Sequence, residues 1–376
     1  MVNEKRLIDE FIELASIDSP SLNERKVADA IIRKVSDMGL EVYEDKGGLV
    51  YGGNTGNLYL TIKGEPNIPS TLLLAHMDTV VPCENKKIIV ENGIIKSDGT
   101  TILGSDDVAG IVEILESLRI IKENNIKCGN IEVVFTFGEE KSLCGAKVLE
   151  FERIKSKIGI VLDSVGVGAA ISGPAQYRML AVFKGKSAHA GVEPEKGLNS
   201  IVVASKAISQ MKLGRIDFET TANVGVIKGG TATNIVCDRC EVDFEARSRN
   251  EEKLILQLAH MKDVMQNVAQ EAGAEVEIVQ EFLYPSYHVS EEDELIKIFK
   301  DSCVKVGLEP VLETTGGGSD TNIISGKGIK TINLACGMTN VHTLSEFIKI
   351  EDLVKKTELV VCLLETIYQR GGETGL

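Results

Sequence analysis

An excess of basic residues, a stretch resembling a signal-peptide core and an apolar run of membrane length are what this 376-residue sequence most plainly lacks. Its 41 Lys and Arg stand against 56 Asp and Glu, a formal net charge of −15. That balance argues against nucleic acid as a partner and leaves no cationic footprint for a membrane surface. The opening Met1-Val2-Asn3-Glu4-Lys5-Arg6 carries no apolar core of a signal peptide, and no unbroken apolar run reaches transmembrane length. Eight cysteines without a leader are expected as free thiols in a reducing compartment, which places the protein in the cytoplasm. There is no internal repeat, low-complexity tract or proline-rich linker. No Gly-x-Ser-x-Gly elbow is present, which argues against a serine hydrolase. Gly185-Lys186-Ser187 echoes the end of a phosphate loop, but Leu180 stands where its first glycine belongs, and Gly166-Val167-Gly168 lacks the third glycine of a dinucleotide site. Cys237-Asp238-Arg239-Cys240 falls in an expected strand, where positions three apart face opposite ways, and no second pair exists to complete a metal site.

What is present reads as a globular α/β chain. Hydrophobic content of 43% with 26% charged residues is ordinary, and the length exceeds a single core, so two domains are expected. Helical periodicity runs over 4–15, and Ser21-Leu22-Asn23-Glu24 has the form of a capping box before Val27, Ile31, Val35 and Met38, with Gly39 as the stop. Strands are expected at 57–63, 71–75, 131–137 and 158–162, with an amphipathic helix at 108–124. This βαβ-like alternation predicts a mostly parallel sheet covered by helices. From 176 to 288 the texture changes to longer strands, at 177–184, 221–228 and 235–247, around helices at 197–211 and 250–272. An α+β insert on an antiparallel sheet is the expectation there. The first domain, 1–175, then resumes over 289–376 with a helix at 291–306, a strand at 330–335 and a last helix at 351–369.

The chemistry collects where those strands stop. Leu72-Leu73-Leu74-Ala75 ends in His76 and Asp78, which share a face because strand side chains alternate. Carboxyl ends of strands are where open α/β sheets place ligands. Asp106 and Asp107 lie between Gly104 and Gly110, ahead of a helix; one aspartate would serve as a cap, and two exceed that need. Glu139 and Glu140 follow Gly138, and such a pair aimed into one site requires a cation or a raised pKa. Asp163 follows Ile160-Val161-Leu162, and His342 sits between an expected strand and the last helix. Each has an ordinary explanation as a cap or loop residue. Together, imidazole and carboxylate groups without thiolate suit zinc, manganese or cobalt in an open site.

Ala75-His76-Met77-Asp78-Thr79, Gly104-Ser105-Asp106-Asp107-Val108-Ala109-Gly110, Phe137-Gly138-Glu139-Glu140, Val161-Leu162-Asp163 and Val341-His342 resemble, in order, the motifs of the di-zinc exopeptidases. That family spans peptidase T, glutamate carboxypeptidases and aminoacylase. Ser97–Gly104 and Gly317-Gly318-Ser319-Asp320 are most similar to the peptidase T branch. The resemblance implies two Zn²⁺, with Co²⁺ or Mn²⁺ as substitutes: His76, Asp106 and Asp163 around one, and Asp106, Glu140 and His342 around the other. Glu139 would be the general base for a water activated between the metals, and Asp78 would orient His76. His189, in Ser187-Ala188-His189-Ala190-Gly191, would reach the partner's site in a homodimer, making 176–288 a lid and dimerisation domain. Asn234 and Arg247 match substrate-binding positions, where Arg247 could clamp a peptide carboxylate. The implied activity is tripeptide aminopeptidase. Alternatives are an N-acyl-amino-acid amidohydrolase or carboxypeptidase, or a metal-binding scaffold without turnover. One departure concerns specificity, since Gly316 stands where peptidase T enzymes tend to carry arginine.

Overall fold

The computed structural model describes residues 2–374. In chain order, the first run of elements is α1 (Glu4–Ala15), α2 (Arg25–Asp37), β1 (Leu58–Ile62), β2 (Thr71–His76), α3 (Ser105–Asn124), β3 (Ile131–Thr136) and β4 (Ile158–Ser164). The middle run is β5 (Ala175–Lys184), α4 (Ser200–Gln210), β6 (Thr220–Gly229), β7 (Arg239–Ser248), α5 (Glu251–Ala272) and β8 (Glu275–Tyr284). The last is α6 (Glu294–Val306), β9 (Lys330–Ala335) and α7 (Ile350–Thr374). The chain forms two compact units: residues 1–172, 288–314 and 319–376 make one, and 173–287 with 315–318 make the other.

The first unit is built on a sheet whose strands run β1-β3-β2-β4-β9. β3, β2, β4 and β9 are mutually parallel, and β1 joins antiparallel to β3, with the two-residue strand Tyr43–Glu44 paired beyond it. β2 is buried along its whole length, as its unbroken apolar run requires. Leu73 pairs in register with Val133 on one side and Ile160 on the other. α3 packs on β2 and β4 and against α1 and α7. At Gly110 a Cβ would lie 2.2 Å from the Leu162 carbonyl oxygen, so the helix reaches the strand only because that position is glycine. In parallel strands all carboxyl ends share one edge, and His76, Glu139 and Asp163 arrive there together.

The second unit is an antiparallel sheet in the order β6-β7-β5-β8, with α4 and α5 packed together over one face. β7 alternates strictly between buried and less buried residues, the signature of a sheet covered on one side. Met179, Phe183, Val242 and Phe244 meet Val203, Leu258, Met261 and Met265 in its core.

Three local expectations change. Ser21 to Glu24 form no capping box: α2 starts at Arg25, and the Glu24 carboxylate instead accepts from Leu22 N and Gly138 N. The strand expected at 235–247 starts only at Arg239, so Cys237 precedes it; all eight cysteines are free and buried. β8 is an additional strand, whose apolar Val276 and Ile278 are only partly buried at the sheet edge.

Candidate metal centre

His76 closes β2, 2% exposed. Its Nδ1 lies 2.9 Å from the Asp78 carbonyl oxygen, and its Nε2 lies 3.0 Å from Asp106 Oδ1 and 3.5 Å from Asp163 Oδ1. A ring nitrogen held by a backbone carbonyl fixes the tautomer and aims the other nitrogen. The Asp78 carboxylate, at 3.5 Å from the ring, does something else at closer range. It accepts from Glu139 N at 2.8 Å, Glu140 N at 3.2 Å and Ser21 Oγ at 2.6 Å, holding the turn that carries both glutamates.

Asp106 stands at the centre. Its Oδ1 faces His76, and its Oδ2 lies 3.2 Å from His342 Nε2. His342 Nε2 is 2.6 Å from Glu140 Oε1. Asp106 and Asp107 fall within the first turn of α3 but are not helical, with φ −85°, ψ 100° and φ −122°, ψ 33°, and the peptide between them is cis. Asp107 turns away to accept from His76 N at 3.0 Å and Gly110 N at 3.2 Å. Two sets of ligand atoms lie within 4.8 Å of one another: His76, Asp106 and Glu140, and His76, Asp107 and Asp163. His76, Asp106, Glu140, Asp163 and His342, drawn from segments more than 260 residues apart in sequence, are thus brought together. Glu139 is buried beside them and belongs to neither set.

The electrostatics are those of crowded acid. Burial, then repulsion from Asp163, holds the Glu139 pKa well above the carboxylate range. Burial lifts Asp163 to about 7 and raises Asp107 strongly. Burial acts upward on Asp106 too, but hydrogen bonds to His342 and His76 pull it below its ordinary value. Burial disfavours a charged His76, yet its bonds to Asp106, Asp163 and Asp78 leave it well above 6.5; bonds to Asp106 and Glu140 bring His342 to about 10. The two imidazoles are the only positive partners this cluster of carboxylates engages in the bonds just described. Divalent cations fit such a donor set, because they would replace the protons that now separate the carboxylates. Nitrogen and oxygen donors, no thiolate and a half-exposed His342 match an open, hydrolytic metal site more than a closed structural one.

The other candidates belong to the second unit. His189 is exposed, and its Nδ1 accepts from Gly191 N at 3.2 Å. Its segment is bridged to that of Asn234 through Ala190 N to Asn234 O at 2.9 Å. Arg247, on β7, donates to Glu245 at 2.9 Å and keeps a buried Nε without a partner among the described residues. Three features of the site have no assigned role in the sequence: Glu24, Asp107's bond to His76, and Asp320, whose carboxylate accepts from Thr136 Oγ1 at 2.6 Å and which burial lifts to about 6. Asp320 stood in a quoted motif; Glu24 stood in a supposed cap and offered no other signal.

Fold and donor set together define an α/β metalloenzyme of the hydrolase kind. Comparison with known proteins gives the family: the profile of Peptidase family M20/M25/M40 matches residues 72–366, and the chain belongs to that family. It is similar to the crystal structure of aminopeptidase PepT from Bacillus cereus ATCC 10987, with 44% identity, 98% of this chain and 99% of that chain covered and a TM-score of 0.91. A tripeptidase structure from Staphylococcus aureus subsp. aureus Mu50 gives 39% identity, coverage of 98% and 100%, and a TM-score of 0.94. An uncharacterised Bacillus subtilis (strain 168) protein, YqjE, is 47% identical over 367 residues, covering 97% of this chain and 99% of its own.

Proposed function

We propose that the protein is a peptidase T-like aminopeptidase that hydrolyses short peptides, tripeptides foremost, at a two-zinc centre. One observation carries this reading: the two oxygens of Asp106 face two different imidazoles, at 3.0 and 3.2 Å, as a carboxylate shared by two cations must. His76, Asp106 and Asp163 would hold one ion, and Asp106, Glu140 and His342 the other, with Co²⁺ or Mn²⁺ as chemically suitable substitutes. Two such ions would activate a water and polarise the scissile carbonyl. Glu139 is buried beside the ligands with a raised pKa, which suits it to take the water's proton and return it to the leaving amine. Asp78 keeps Glu139 and Glu140 in register through their backbone amides, so one binds while the other moves protons.

Asn234 and Arg247 are assigned to substrate binding, the latter to a peptide carboxylate, and His189 to the oxyanion in a partner's site. A homodimer is supported by the far half of β6. Beyond its pairing with the short strand Gly214–Arg215 it forms a sheet edge with exposed Val226 and Ile227, and α4 carries an equally exposed Val202. No described helix is long and apolar enough to cross a membrane; with eight free thiols this supports a cytoplasmic location.

Steady-state assays on di- and tripeptides with free or blocked termini, alongside N-acyl-amino acids, test the assignment. Tripeptides with a free amino end should be cleaved, and N-acetylation should abolish turnover. Cleavage of acyl-amino acids alone would move the protein to the amidohydrolase reading. Glu139→Gln should retain both metals by elemental analysis while kcat falls about 10²- to 10⁴-fold; unchanged turnover would remove it as the base.

A further inference from the structure

Glu346 is the one buried residue in an otherwise exposed run, 1% accessible where 342–345 are open. Its carboxylate accepts four hydrogen bonds, all from one short segment some 240 residues earlier in the chain. Oε2 takes Leu103 N and Gly104 N at 2.8 Å each, and Oε1 takes Ser105 Oγ at 2.6 Å and Asp106 N at 3.2 Å. Gly104 adopts φ +77°, a left-handed turn that lets consecutive amides converge on one oxygen. Those donors are the entry to α3, where Asp106 leaves helical geometry. A backbone out of helical register has no ladder to hold it, so something else must, and the carboxylate supplies that hold.

We propose that Glu346 is a positioning residue for Asp106, setting where its two oxygens lie relative to the imidazoles of His76 and His342. The inference rests on the two-metal reading above. The same stretch of chain works from both sides. His342, at φ 62°, is turned toward Asp106 by a tight loop closed by Thr343 Oγ1 to Asn340 O at 2.7 Å. Four residues later Glu346 grips the backbone that carries Asp106, and the strand Phe347–Lys349 anchors the stretch by pairing with Ile94–Ser97. One segment therefore delivers a ligand and fixes its neighbour, and an error in either displaces both.

A buried acceptor of four bonds could serve the fold alone, and the chain contains a matched control. Glu132 is also buried and accepts from Lys155 N, Ser156 N and Ser156 Oγ at 2.7 to 3.0 Å. It lies at the start of β3, paired with Leu72, while His76 pairs with Thr136 at the other end. Glu346→Gln and Glu132→Gln both put an amide group among donors, so both should lower the urea midpoint of the metal-free protein. Only Glu346→Gln should weaken Co²⁺ binding, about 10- to 100-fold, change the visible cobalt absorption, and lower kcat for a tripeptide with KM within a few-fold. Equal cobalt affinity in Glu346→Gln and wild type, or equal weakening in the Glu132→Gln control, would overturn the proposal. Should Glu346→Gln not fold, Ser105→Ala removes a single donor and should weaken cobalt binding less but in the same direction; unchanged binding there counts against it. A wild-type protein that takes up no cobalt sinks the two-metal reading and this one together, whereas normal uptake by wild type and Glu346→Gln alike sinks this one alone.

Discussion

Glu24 shows how much a single buried carboxyl controls. It is fully inaccessible, its Oε1 receives Leu22 N at 2.6 Å and Gly138 N at 3.0 Å, and its Oε2 has no partner among the described residues. Burial, then the nearby Asp78, raises its pKa from 4.5 to about 7. The folded chain therefore holds this proton more tightly than the unfolded one. Its contribution is full below pH 4.5 and is lost as pH rises through about 7, a span corresponding to about 3 kcal/mol. Glu24→Gln cannot ionise, so relative to wild type its stability should rise by about 3 kcal/mol between pH 4.5 and 8. Urea denaturation of the metal-free proteins across that range checks it, and a pH-independent difference would refute the assignment. This residue also marks where reading a sequence stops. His76, Asp106, Glu139, Glu140 and Asp163 were legible because each follows an apolar run or precedes a helix, and strand-end geometry does the rest. Glu24 and Glu346 act on backbone 114 and some 240 residues away, and no local pattern encodes a partner at that distance.

Among elements, α3 governs the site, because it carries Asp106 and Asp107 into the sheet edge. Its approach to β4 is set by Gly110, where an added Cβ would meet the Leu162 carbonyl at 2.2 Å and Asp107 Oδ1 at 2.5 Å. In a free helix Gly→Ala gains roughly 1 kcal/mol of propensity. Here overlap with backbone that cannot swing aside outweighs it, and Gly110→Ala should destabilise the protein by about 1–3 kcal/mol. Metal affinity should fall as well, since Asp107 and the His76 amide it binds shift with the helix. A calorimetric scan showing a stabilised variant would mean that the helix has room to move. The helices and central strands were readable because periodicity and burial agree in them. β8 was not, since an edge strand half covered by α5 buries too little to enforce a pattern. The start of α3 was readable only in part: two aspartates exceed what a cap needs, but nothing local tells that one turns to the imidazoles while the other accepts from the backbone of β2.

For the whole molecule, the proposed division of labour separates a unit that holds metals from a unit that presents His189, Asn234 and Arg247. His189 is exposed, and its imidazole accepts from the local Gly191 amide, so among the described residues no hydrogen bond from another element gives it a structural task. A two-fold dimer would place each such loop identically on both subunits, which makes donation across the interface symmetric. His189→Ala should then lose turnover with its metal content intact, a result that by itself fits action within the subunit equally well. Mixing decides between them. A His189→Ala protein retains a working metal centre, and an Asp106→Ala protein retains His189 without one. If the histidine crosses the interface, subunit exchange between these two inactive proteins creates dimers in which one centre has everything it needs, and activity that neither parent possesses should appear as exchange proceeds. If it acts within its own subunit, every centre in the mixture lacks either metal or imidazole, and the mixture stays as inactive as its parts.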